Sequence, residues 1–188
     1  MFHSETIINK GYTGINPMQF GYENCEKGHG YGPALRTHWL LHFIVSGKGY
    51  FKIEDREYSL SAGHIFVIPP FVETYYKADL EEPWEYIWIG FTAPQDFDIL
   101  HNDVLFLPGA ARIFEEMKKC GTMTAGRTEF LCSKIWQLFA EILEKKEEKI
   151  KMNYIKAKEI AVKINSKFNA CKEYKIAYHF YDKNDNKK

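Results

Sequence analysis

The sequence predicts a mainly β protein, an antiparallel sandwich or barrel, with helices at its C-terminal end. Three observations carry that reading. Between His38 and Phe91, short β-rich runs alternate with compact turn signals and no helical period intervenes. The connections are too short for the crossovers that parallel pairing needs. After Ala110 the apolar spacing changes from two to three and four residues, the period of a helix lying on something.

Taken in order, residues 1–16 are polar and glycine-punctuated and read as a mobile arm. Met18–Cys25 begins the sheet, and Glu26–Pro33, with three glycines and a proline, reads as a loop at the barrel mouth. The strands expected next are Trp39–Val45, Tyr50–Ile53, Tyr58–Leu60, Ile65–Ile68, Thr74–Lys77 and Glu85–Phe91. Their separators are Ser46–Gly49, Glu54–Arg56, Ser61–Gly63 and Pro69-Pro70. Leu105–Leu107 adds one short strand. A first helix is expected from Ala110, a break at Gly121–Gly126 and a second helix over Thr128–Ile150. Asn153–Phe168 reads as a further helix, and the last eight residues as a disordered polar tail.

Composition excludes several functions. Lys+Arg and Asp+Glu are both 25, so no net charge points to nucleic acid or an acidic membrane. No apolar run approaches the roughly 20 residues of a spanning helix. No basic segment followed by an apolar run opens the chain, so a cytoplasmic protein is expected. The four cysteines (Cys25, Cys120, Cys132, Cys171) contain no CxxC and read as reduced thiols, with structural zinc not expected. His38 and His42 share a strand face but stand about 13 Å apart at ~3.3 Å per residue, too far to share an ion. No metal and no cofactor is therefore expected. No nucleophile elbow or phosphate loop appears, and Gly47-Lys48-Gly49 is a hairpin turn. Glu81, Glu82 and Glu85 flank a proline and read as a solvated rim.

The aromatic residues are more informative. Along Trp84–Phe91, Trp84, Tyr86, Trp88 and Gly90 fall on one face, and Glu85, Ile87, Ile89 and Phe91 on the other. The aliphatic face suits docked helices. The aromatic face, with its O–H and N–H edges, suits a pocket for a small polyhydroxylated ligand. Tyr75 and Tyr76 add to that face, and Arg36 and His42 can supply hydrogen bonds from a neighbouring strand. The candidate ligand-binding residues are thus Arg36, His42, Tyr76, Trp84, Tyr86 and Trp88, with none assigned to catalysis.

The runs GYENCEKGHGYGP (Gly21–Pro33), HFIVSGKGYF (His42–Phe51), AGHIFVIPP (Ala62–Pro70) and PWEYIWIGF (Pro83–Phe91) carry a resemblance. Through them Phe20–Phe91 resembles the N-terminal effector-binding cupin domain of AraC-type (arabinose-operon regulator) transcription factors. The resemblance implies a cupin-type jelly-roll barrel, a mono- or oligosaccharide effector inside it, and an α-helical dimerisation hairpin. Tyr86 and Trp88 match the strand presenting a polar group and a stacking tryptophan to the sugar, and Tyr76 a pocket tyrosine. Metal-binding cupins carry a His-x-His pair and a later histidine at places that are not histidine here. The implied organisation is a barrel with its arm over 1–108, the helical hairpin over 109–151, and over 152–188 a remnant of the linker and the start of a helix-turn-helix region. DNA contact would then need a C-terminal domain that is absent or truncated here. Leu131, Ile135, Leu138 and Ile142, spaced i, i+4, i+7, i+11 with Phe130, Phe139 and Leu143 widening the stripe, are expected to form the homodimer seam. The alternative is a metal-free cupin enzyme of isomerase or epimerase type acting on a small carbohydrate, with Tyr, His and Arg as acid–base groups.

Overall fold

In the computed structural model, which describes residues 1–94 and 97–184 with side chains as far as Lys167, ten strands form two facing sheets. The strands are β1 (Phe2–Thr6), β2 (Asn16–Asn24), β3 (Gly30–Ala34), β4 (Trp39–Ser46) and β5 (Lys48–Ile53). They continue as β6 (Arg56–Ser61), β7 (His64–Ile68), β8 (Thr74–Ala78), β9 (Glu85–Thr92) and β10 (Val104–Phe106). A six-stranded sheet runs β1-β2-β9-β4-β7-β10 and a four-stranded sheet β3-β8-β5-β6, with every ladder antiparallel. This is the cupin-type jelly roll expected from the sequence.

The chain changes sheet between β4 and β5 through the single residue Gly47. Its φ of +71° is left-handed, and a Cβ there would stand 2.3 Å from the carbonyl oxygen of Pro83. Only glycine turns this corner without strain. The inner faces of both sheets meet in one apolar cluster, including Leu40, Ile44, Phe51, Phe66, Tyr76 and Trp84. The outer face of the six-stranded sheet presents Phe20, Leu41, Phe43, Ile65, Ile87, Ile89 and Phe91 to a second cluster supplied by the helices. The alternation read along β9 therefore holds on both sides of the sheet.

The helices are α1 (Ala111–Met117), a short 3-10 segment at Lys118–Thr122, and α2 (Arg127–Asn184). Ion pairs Lys134–Glu116 and Arg112–Glu141 (3.2 Å) hold α1 against α2. The chain divides into two compact units, Met1–Leu143 and Glu144–Lys188, so residues 109–143 belong to the same unit as the barrel. From Glu144 to Lys167 every residue of α2 is exposed.

Five expectations change. The N-terminal residues are anchored: β1 pairs with β2 over five residues, and Ile7 and Ile15 are buried. Lys10 pairs with Glu129 at 2.5 Å, Tyr12 hydrogen-bonds the same carboxylate, and the Thr128 hydroxyl donates to the Ile8 carbonyl at 3.2 Å. Half of the expected mouth loop is β3, because a backbone edge beside β8 was open to pairing whatever its glycine content. The second and third expected helices are one helix, since Glu144–Lys151 alternates charges that a solvated helix accommodates. Part of the expected disordered tail is the end of α2, and residues 185–188 lie outside the described residues.

The last change concerns Leu131, Ile135, Leu138 and Ile142. They are 0, 0, 0 and 7% exposed and pack in the chain's own core, with Phe139 beside them. Side chains so covered within one chain leave a second copy almost no surface to meet. The sheet's outer face takes this stripe together with Phe139, while Phe130 is partly buried and Leu143 stays exposed.

Candidate functional site

Cross-strand partners in an antiparallel ladder share a face, so register fixes which side chains meet inside the barrel. On β2 and β9 the pairs Gln19↔Gly90, Gly21↔Trp88 and Glu23↔Tyr86 point inward, and His42↔Trp88 continues the row on β4. Opposite them, the four-stranded sheet contributes Tyr76 of β8 and, through β3, Tyr31. These side chains line a cavity of about 570 Å³, together with Phe2 and Ser4 of β1, His29, Arg36, His38 and Leu40.

His42 sits at the centre of an aromatic cage. Its ring stacks on Phe66 at 4.5 Å, nearly parallel, and Tyr86, Tyr76 and Trp88 stand 5.0, 5.1 and 5.9 Å away. Tyr31 stacks on Tyr76 at 5.8 Å, and the Arg36 guanidinium lies 4.2 Å over the Tyr31 ring, a cation–π contact. The cavity-facing edge is polar. Tyr86 donates its O–H to Glu23 Oε2 at 3.0 Å, and Gln19 Nε2 lies 2.9 Å from His38 Nε2. His42 Nδ1 is buried and has no hydrogen-bond partner among the described residues.

Burial sets the protonation states. It pulls His42 well below the usual histidine range, with the Arg36 charge adding to the effect, so the imidazole is neutral. His38 is lowered by the same two causes. Burial raises the phenols of Tyr76 and Tyr86, so both keep their protons and remain donors. The cavity therefore offers flat apolar rings, neutral donors and acceptors, one half-buried guanidinium and the Glu23 carboxylate. That set suits a neutral polyhydroxylated molecule.

Five of the six predicted ligand-binding residues, Arg36, His42, Tyr76, Tyr86 and Trp88, line this cavity. Trp84 does not. It is fully buried below the cavity floor, stacked on Phe66 at 5.6 Å, in space that Gly49 leaves by lacking a Cβ. Its place one residue before β9 sends it toward the packed end of the barrel, where no void remains. Sequence reasoning missed Gln19, Glu23, His29, Tyr31 and His38. The alternation Gln19, Gly21, Glu23 on β2 was a usable signal for two of them, and none marked His29. A wider depression of about 830 Å³ lies over the outer face of the four-stranded sheet, among Lys48, Tyr50, Ser59, Tyr75 and Lys77. It is a shallow surface feature with no buried polar group in its wall.

The sequence pattern of the AraC-like ligand binding domain matches residues 16–151, which contain the whole cavity wall except β1. The chain belongs to this family. Curated relatives include the Msm operon regulatory protein of Streptococcus mutans, 42% identical over 87 residues, 46% of this chain and 31% of the relative. The raffinose operon transcriptional regulatory protein RafR of Pediococcus pentosaceus is 37% identical over 91 residues, 47% of this chain and 32% of that protein. The lactose operon transcription activator of Staphylococcus xylosus is 32% identical over 85 residues, 45% and 30% of the two chains. The chain thus spans about a third of the length of these relatives. Among solved structures, YhaK of Escherichia coli aligns with TM-score 0.46 at 14% identity, over 56% of this chain and 49% of that one. An RmlC-like cupin of Methanocaldococcus jannaschii with a double-stranded β-helix fold gives 0.40 at 15%, over 50% and 83%.

Proposed function

We propose that this chain is the effector-sensing module of an AraC-type transcription regulator, and that its effector is a mono- or oligosaccharide bound in the barrel. The carrying observation is the aromatic cage of His42, Tyr76, Tyr86 and Trp88 that lines the cavity beside the polar groups of Gln19, Glu23, Arg36 and His38. In this reading Trp88 stacks on a sugar face, Tyr86 and His42 bond hydroxyls, and Arg36 closes the rim over Tyr31. The cavity volume of about 570 Å³ lies within the roughly 300–1,000 Å³ typical of small-molecule sites. The relatives named for raffinose and lactose operons supply the class of sugar to try first. Binding is favoured over catalysis because burial moves His42, Tyr76 and Tyr86 away from the charge states that a proton shuttle at neutral pH would use.

Calorimetry with a panel of mono-, di- and trisaccharides tests the reading. The expected result is one site per chain, weakened by about 1–3 kcal/mol in Trp88→Ala. Chemical conversion of any bound sugar would overturn it in favour of an isomerase or epimerase.

The partners in this reading are a second copy of the chain and, through a portion of the relatives' length that the match does not span, DNA. Supporting self-association, Ile150, Tyr154, Ala157, Ala161 and Ile164 are exposed on α2 at alternating spacings of four and three. That 3.5-residue repeat is the seam of a two-stranded coiled coil.

A further inference from the structure

Where β2 ends, three unlike metal donors converge: Glu23 and His29 line one end of the cavity, and Cys25 is buried beside them. Glu23 is the next-to-last residue of β2, Cys25 follows its end, and His29 immediately precedes β3. The backbone fixes their approach. Cys25 N–H donates to the Trp84 carbonyl at 3.1 Å, carrying the β2–β9 ladder one residue further. The turn closes through His29 N–H to the Glu26 carbonyl (3.0 Å) and is clamped to β8 by Ala78 N–H to the His29 carbonyl (2.8 Å). Gly28, at φ +69°, supplies the left-handed residue that the reversal requires. One donor atom each from Glu23, Cys25 and His29 then lie within 4.8 Å of one another.

We propose that Glu23, Cys25 and His29 form a site for a divalent transition-metal ion of the zinc type, with its fourth coordination position open to the cavity. Metal–ligand bonds of about 2.0–2.3 Å put the donors of a tetrahedral ion roughly 3.3–3.7 Å apart. Glu23 Oε2 and His29 Nε2 already stand at 3.6 Å. His29 is partly exposed on a turn and free to adjust, while Cys25 is buried in the packed inner cluster. Thiolate plus imidazole selects zinc-type ions over magnesium or calcium. One thiolate and one carboxylate neutralise the dication, which makes burial at the cavity wall affordable. Metal-free, burial pushes the Cys25 thiol up to about 12, so it is protonated and inert. On binding, the Sγ–H bond breaks, the proton leaves to solvent, and sulfur donates its pair to the ion with no change of oxidation state. Tyr86 serves as the outer partner: its O–H on Glu23 Oε2 orients the carboxylate.

The donor set is not a His-x-His pair, and the proposal stands whatever organic molecule occupies the cavity. The metal alone tests it. Untagged, chelator-treated protein is titrated with Co²⁺, then with Zn²⁺ against a chromophoric chelator. One equivalent of Co²⁺ is expected to give the intense visible bands of tetrahedral cobalt and a thiolate-to-cobalt charge-transfer band. Cys25→Ser should abolish the charge-transfer band, while Cys132→Ser, a thiol beside Ile15 rather than the cavity, should keep it. Tyr86→Phe should weaken zinc by about 10–100-fold. A charge-transfer band that survives Cys25→Ser, or no band in the parent, overturns the proposal. If Cys25→Ser fails to fold by circular dichroism, His29→Ala on the exposed turn decides: a loss of more than about tenfold supports the site, and unchanged zinc affinity overturns it.

Discussion

Gly21 and Trp88 face each other across the β2–β9 ladder, and the room for the indole exists because residue 21 has no side chain. A Cβ at Gly21 would stand 2.2 Å from Trp88 Cζ2 and 2.4 Å from the backbone oxygen of His3. The first atom belongs to a ring that can swing only into the cavity, and the second is β1 backbone. Gly21→Ala is therefore expected to cost about 1–3 kcal/mol in chemical denaturation, the range of overpacked cores. It should also weaken any cavity ligand, which a calorimetric titration would register; a variant with parent stability and affinity would show that the wall yields freely. His42 makes a second prediction at this scale. Its folded pKa is depressed by burial, so above the unfolded value near 6.5 both states are neutral and the full stability is present. As pH falls below about 6.5 the unfolded chain takes up the proton first, and stability declines toward the folded pKa. His38 titrates in the same sense. Melting temperature should accordingly drop between pH 7.5 and 5, and the drop should shrink in His42→Phe, with the other titrating groups unchanged. An identical drop in both proteins would assign the pH dependence elsewhere.

At the scale of elements, the strands from β4 to β9 were readable within a residue or two. Each buries one face or both under a regular period of two, with a polar or glycine- or proline-bearing turn closing it. β1 and β3 carry no such pattern: FHSET and GYGPA alternate little hydrophobicity, and both pair because β2 and β8 offer free edges. Of the five cavity residues read from the sequence, His42, Tyr86 and Trp88 were legible because β4 and β9 sort them to one face. Glu23 and His29 escaped because their meeting depends on how a turn folds back. On α2 the apolar stripe was visible, but a sequence cannot tell whether the surface it meets is the chain's own. The structure makes the two cases separable. Leu138→Ala empties part of a fully buried cluster and should cost about 2–5 kcal/mol, read as a fall in the denaturation midpoint of the barrel unit. If Leu138 instead lay at a seam between copies, its replacement would change association at tens of micromolar and leave the midpoint at high dilution untouched.

For the whole molecule, the decisive quantity is how much apolar surface is left after the barrel has covered its own. In Met1–Leu143 the outer sheet is clad by α1 and α2 and the inner faces by each other. Beyond residue 143, α2 is exposed on all sides as far as its side chains are described, and Ile150, Ile155, Ile160, Val162 and Ile164 are each more than half exposed. A helix this long with unpartnered isoleucines gains little from propensity alone, whereas packing against a second helix would bury the row of Ile150, Tyr154, Ala157, Ala161 and Ile164. The small residues at 157 and 161 allow close approach, and the larger ones on either side fill the space between axes. A two-fold pair is the simplest closed arrangement that covers such a self-complementary row. Ile150→Glu with Ile164→Glu would set four carboxylates in that seam, where unpaired buried charge is costly. Light scattering at tens of micromolar should give a dimer for the parent and a monomer for the double variant. Because neither position belongs to the barrel core, the thermal unfolding of the barrel should be unchanged in the monomer apart from the stabilisation that association adds. A parent that remains monomeric at these concentrations would remove the seam, and the exposed isoleucines would need another partner.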